Sequence, residues 1–118
     1  MAEPARLICT AADLQEGGVG VRFTVTRHGR EEPAFVVRYQ GAPRAFLNRC
    51  AHVPMELDWQ PGVFFDRQGL YLMCATHGAL YHPATGHCLE GPCRGRGLVP
   101  LAVAESEGNV FLIASPLP

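Results

Sequence analysis

Four side chains of two kinds stand in two short boxes. "RCAH" sets Cys50 and His52 one residue apart, "CATH" sets Cys74 and His77 two residues apart, and 21 residues separate the boxes. Thiolate and neutral imidazole both bind metal. The two pairs can hold one zinc ion tetrahedrally, or a cluster of two irons bridged by two sulfides. The single-residue gap favours the cluster, because zinc modules usually leave two to four residues between paired ligands. If the cysteine and histidine of each box serve different irons, the two cysteines meet at an inner iron and the two histidines at an outer one near the loop tips.

The elements that must position these boxes read as strands. Thirteen glycines and ten prolines are scattered along the chain and cut it into short apolar runs, the punctuation of an all-β domain. Strands are expected at Arg6 to Thr10, Val19 to Arg27, Ala34 to Tyr39, Ala45 to Asn48, Leu70 to Cys74, Leu98 to Glu105 and Asn109 to Ala114. The turns "HGREEP", "QGAP", "DRQG" and "SEGN" supply the residues a reversing backbone needs. The last two strands should form a hairpin on the core, and "TAADLQEG" reads as a turn. Each box then follows a strand, so two loops can close over one site. The stretch between Asn48 and Leu98 is loop-rich and holds four of the five cysteines and four of the five histidines.

Composition removes other functions. Ten basic and eleven acidic residues nearly cancel, which leaves no field to hold nucleic acid or an anionic membrane. All ten basic residues are arginines, so Schiff-base chemistry and a phosphate-loop lysine are absent. The 118 residues fit one domain, 1–118. No apolar run spans a membrane, and the N-terminus reads as neither signal nor transit peptide, so a soluble, cytoplasmic protein is expected. In a reducing compartment the odd cysteine count favours thiols or metal ligands over disulfides.

"CAH" followed by "CATHGALYHPATGHCLEGPCRG" resembles the signature of the Rieske [2Fe-2S] family, C-x-H and then C-x-x-H-G. The likeness runs more weakly from "RLICTAADL" to the terminal hairpin. It implies a Rieske-like fold, an antiparallel β-sandwich or barrel core with a cluster-binding subdomain at about residues 48–97. It also implies one [2Fe-2S] cluster, with Cys50 and Cys74 on the inner iron and His52 and His77 on the outer. Gly78 would let the second loop turn close to the cluster, and Gly91 and Pro92 match the family's covering proline loop.

The resemblance also marks departures. Respiratory and photosynthetic members join their cluster loops by a disulfide, whereas Met55 and Thr76 stand at those places here. Those members bond the cluster sulfurs through a serine and a tyrosine, where this chain has Ala79 and Tyr81. Losing one hydrogen bond lowers the potential, so the lower half of a range of about −150 to +300 mV is expected, as in Rieske ferredoxins. The outer N–H groups of His52 and His77 should make that potential fall at high pH.

The insert at 53–73 carries Trp59, Phe64 and Phe65, aromatics that contact a partner or, more commonly, plug a small core. Cys88 and Cys93 read as free thiols near the site and Cys9 as a core residue. His28, His82 and His87 read as surface histidines, and Arg94 and Arg96 as solvated residues or guides for an acidic partner. Only 41 residues follow His77, too few for an oxygenase catalytic domain, and no nucleotide or nucleophile motif is present. The chain therefore reads as an electron carrier with no catalytic residues of its own. It would be a ferredoxin between a reductase and an oxygenase or reductase, the alternatives being a permanently bound small subunit of a larger reductase and a zinc-stabilised interaction module.

Overall fold

A computed structural model describes residues 6–27, 29–50, 56–58, 60–66, 68–74, 78–91 and 96–114. Nine strands follow in chain order: β1 Arg6–Thr10, β2 Val21–Arg27, β3 Arg30–Tyr39, β4 Ala42–Leu47, β5 Leu72–Met73, β6 Leu80–Tyr81, β7 Cys88–Glu90, β8 Pro100–Ser106 and β9 Asn109–Ala114. A 3₁₀ turn at Ala11–Asp13 stands where the sequence suggests a turn. Six strands form one antiparallel sheet in the order β1-β9-β8-β4-β3-β2, and β5-β6-β7 form a second, smaller one. The larger sheet curls: the Arg6 side chain on one edge strand donates to Thr24 O on the other at 2.6 Å. The all-β class and antiparallel core expected from the sequence are what the chain adopts.

Strands β3 and β4 form the wall between two cores, and the period-2 alternation of side chains builds it. Phe35, Val37 and Phe46 face a core shared with Cys50, Leu57, Phe64, Leu72, Cys74, Ala79 and Tyr81. Ala34, Val36, Ala45 and Leu47 face the other, with Val25, Leu101, Val110 and Leu112. Strands covered on both faces read as continuous apolar runs, which is why "AFVV" and "AFL" show no polar alternation. Tight turns set the register. Gln40 and Gly41 (φ 52° and 75°) join β3 to β4, and Glu107 and Gly108 (φ 51° and 78°) join β8 to β9 in the expected hairpin.

Five strands differ from expectation at their ends. β3 and β4 begin early, at Arg30 and Ala42, because residues 30–33 of the expected turn pair with β2 and Ala42 pairs with Tyr39, and β8 runs from Pro100 to Ser106; β5 and β2 are shortened for local reasons. Leu70 and Tyr71 turn their amides to Asp66 Oδ1 at 3.0 and 3.3 Å, so pairing starts only at Leu72. The amide of Gly20 bonds Gly62 O at 2.8 Å, which ties Val19 and Gly20 to the insert, and β2 begins at Val21. Strands β6 and β7 were not foreseen, since two or three residues carry too little periodicity to read.

Candidate metal centre

Strand β4 delivers the first box. After Leu47 the Asn48 amide extends the ladder to Pro33 O at 2.8 Å, the chain turns with Arg49 N to Leu47 O at 2.9 Å, and Cys50 drops into the core at 3% exposure. Residues 51–55, with His52 and Met55, lie outside the described residues. The chain re-enters at Glu56, and Leu57 is fully buried beside Cys50 in the same core.

Strand β5 delivers the second box. Cys74 is fully buried, donates its amide to Ala79 O at 2.9 Å and accepts the Gly78 amide at 2.8 Å. Its loop is thus closed by backbone within six residues. Gly78 has φ +72° and, among the described residues, no atom beyond its chain neighbours within 4 Å of where a Cβ would stand, so a left-handed backbone is what demands glycine there. Thr76 and His77 lie outside the described residues.

Both cysteines stand outside any disulfide and share one core. Tyr81, fully buried on β6, places its hydroxyl 3.2 Å from Cys50 Sγ. With Cys50 as a thiolate the phenol O–H is the only donor of the pair, a charge-assisted bond that stabilises negative charge on that sulfur. Ala79 is also fully buried and offers sulfur no hydroxyl. Gly91 (φ +103°) covers it so closely that a Cβ would lie 2.9 Å from Ala79 Cα. Pro92, Cys93 and Arg94 lie outside the described residues, and Arg96 is exposed.

The insert serves the core. Phe64 stacks on Phe35 with ring centroids 3.9 Å apart, both are fully buried, and Phe65 is 7% exposed. Phe64 O accepts the Met73 amide at 2.8 Å, so this segment braces β5. Trp59 lies outside the described residues. Cys9 is half-buried against the second core, where burial first and then the nearby Asp13 carboxylate push its thiol up from 9.0. His87 is exposed as expected. His82 is half-buried: its Nδ1 accepts the Ala84 amide at 3.0 Å and its ring meets Tyr39 edge-on at 5.9 Å. His28 lies outside the described residues.

One expectation is overturned. Cys88 is no free thiol; it is disulfide-bonded, buried on β7 directly opposite Tyr81. The sequence argument asked only whether companions existed for a second metal, and a sulfur–sulfur bond needs a single companion. A second feature escaped the sequence altogether: Asp58, buried beneath the first loop and bonded to Asn48. "MELDW" sets Glu56 and Asp58 on either side of Leu57, and nothing in that stretch tells which carboxylate is buried.

Two buried cysteines outside any disulfide, one at the root of each loop and one of them met by a phenol, are what the described residues show of the two boxes, and among those residues no three ligating side chains gather. A family model for the Rieske [2Fe-2S] domain matches residues 5–110, and the chain belongs to that family. The cofactor of this domain is a single [2Fe-2S] cluster, and its role is electron transfer. Solved structures agree in fold. The ferredoxin of carbazole 1,9a-dioxygenase from Nocardioides aromaticivorans IC177 superposes with a TM-score of 0.73 at 20% identity, covering 96% of this chain and 100% of that one. A chain from a complex of reduced oxygenase and oxidised ferredoxin in carbazole 1,9a-dioxygenase gives 0.72 at 26% identity, with 97% of each chain covered. The plasma membrane Rieske protein PetC3 from Synechocystis PCC 6803 gives 0.65 at 26%, covering 92% of this chain and 98% of that one. A search among curated proteins finds no match. Among the described residues no helix is long and apolar enough to cross a membrane.

Proposed function

We propose that this chain is a ferredoxin-type electron carrier that receives one electron from a reductase and passes it to an oxygenase. The observation that carries the reading is the pair of buried cysteines, Cys50 and Cys74, on one core with the Tyr81 hydroxyl 3.2 Å from Cys50 Sγ. The match to ferredoxin chains supports the carrier, and the oxygenase in the complex named above supports that acceptor.

In this reading Cys50 and Cys74 hold the inner iron, His52 and His77 hold the outer one, and the domain is single, with residues 48–97 as the cluster-binding part. The cluster supplies a one-electron couple when bound. Leu57, Leu72, Phe46 and Ala79 keep water from the cysteine sulfurs, and Tyr81 donates to one of them. The covering loop around Gly91 and Pro92 lies over Ala79 at its Gly91 end. No catalytic residue is assigned, since chemistry on a substrate belongs to the acceptor.

The purified protein should be red-brown, with two irons and two acid-labile sulfides per chain. A colourless protein with stoichiometric zinc refutes the reading in favour of an interaction module. Purification from its source without a large partner supports a free carrier, and a tightly retained reductase supports the small-subunit alternative. We place the protein in the cytoplasm. Fractionation of its source cells tests that placement, and recovery in any other fraction refutes it.

A further inference from the structure

Asp58 is a carboxylate with no exposed side-chain surface, and every oxygen it has is used. Oδ1 accepts from Asn48 Nδ2 at 2.9 Å, Oδ2 accepts the Gly62 amide at 2.9 Å, and Arg22 Nε stands 3.3 Å from Oδ2. Asn48 is tied in turn: its Oδ1 accepts the Leu57 amide at 2.8 Å and its own amide reaches Pro33 O at 2.8 Å. The other arm of Arg22 reaches Glu56 Oε2 at 2.8 Å. These bonds close residues 48–58 into a ring at its base, and the covalent chain inside that ring contains Cys50 and His52.

A buried ion pair seldom adds net stability, because desolvating both charges cancels most of their attraction. An apolar pair would close the loop at least as well, so what the carboxylate adds is geometry and charge. We propose that Asp58 is a positioning residue for electron transfer: through Asn48 and Arg22 it fixes the root of the first ligand loop, and its charge sets the potential of the centre. The proposal rests on the cluster reading above. Adding an electron adds one negative charge beside a core that already holds this carboxylate. Arg22 offsets it only in part, since 41% of the arginine side chain is in water, where its field is screened. Asp58 therefore disfavours reduction, and a root held by fixed dipoles has little to rearrange when the charge arrives.

The test compares the holoprotein with Asp58→Asn, Asp58→Ala, the exchanged pair Asn48→Asp/Asp58→Asn, and Val25→Ala as a control in the other core. Asp58→Asn should raise the midpoint potential by the equivalent of roughly a tenfold shift in the ratio of reduced to oxidised protein, about 59 mV for one electron. Asp58→Ala should also broaden the electron paramagnetic resonance of the reduced protein and speed cluster loss about tenfold. In the apoprotein it should remove hydrogen-exchange protection from the Leu57 and Gly62 amides. The exchanged pair keeps an amide facing a carboxylate and should recover cluster lifetime, whereas Val25→Ala should lower stability without moving the potential. Wild-type potential, spectrum and cluster lifetime in folded Asp58 variants would overturn the proposal. So would a potential shift of equal size in Val25→Ala. If Asp58→Ala does not fold, Arg22→Gln serves, with the same upward or absent shift read in reverse: losing the arginine should lower the potential, and an unchanged value overturns the proposal. A wild-type protein without iron and sulfide refutes the cluster reading itself, and is told apart because the amide protection of Leu57 and Gly62 still answers for Asp58.

Discussion

Cys74 sits in a loop that its own backbone closes, with two hydrogen bonds between Cys74 and residues 78–79 and a left-handed glycine to make the turn. Cys50 sits in a longer loop that side chains close, Asn48 to Asp58, braced by Arg22 from β2. Backbone closure depends on conformation, so it tolerates most side chains and fails where a Cβ cannot fit. Side-chain closure depends on two or three particular groups, and each one removed leaves a buried partner without its bond. The loops thus hold equivalent thiols by means with different weak points.

Substitutions can separate the two modes. Gly91→Ala should be the most damaging, at about 4 kcal/mol, because left-handed strain adds to a clash with backbone at Ala79 that cannot yield. Gly78→Ala, with left-handed strain but open space, should cost only about 1 kcal/mol. Urea unfolding midpoints of the two variants measure the difference, and equal losses would break the argument that packing over Ala79 matters. Asn48→Ala should cost about 3 kcal/mol, since it leaves Asp58 Oδ1 and the Leu57 amide buried without partners. A loss below 1 kcal/mol in the same urea assay would show that the first loop is not closed by side chains.

Tyr81→Phe keeps the ring and removes the donor to Cys50 Sγ, a difference of about 1 kcal/mol between oxidation states, or a fall of about 40 mV by protein-film voltammetry. An unchanged potential would mean the bond favours both states equally. Arg49→Gln should do least, under about 0.5 kcal/mol, because its bond to Glu32 is made by a side chain that is 51% exposed. Thermal unfolding reads it, and a larger loss would show that the first loop leans on its surface as well as on its root.

Much of the fold was legible because its signals are local. "QGAP" and "SEGN" carry turn residues between apolar runs, and both hairpins form there. The cysteine–histidine boxes are local too: they carried the family resemblance, and the family match spans them, while His52 and His77 lie outside the described residues. What the sequence hid depends on contacts between distant residues. Strands β6 and β7 exist because the Cys88 amide bonds Arg96 O and Tyr81 pairs with Cys88, not because two or three residues prefer to be extended. Leu70 and Tyr71 read as strand until Asp66 takes their amides. Asp58 looked like an ordinary surface acid within the insert, and only the approach of β2 reveals its partner Arg22.

The sulfur atoms of this protein make opposite demands on the cell that builds it. On the proposed ligand set Cys50 and Cys74 must still be reduced when iron arrives, whereas Cys88 is oxidised, and all three belong to one small core. On that ligand set, a sulfur–sulfur bond drawn to Cys50 or Cys74 would consume a ligand. Maturation then has an order: metal capture that comes first removes two thiols from exchange, and oxidation that comes first puts them at risk.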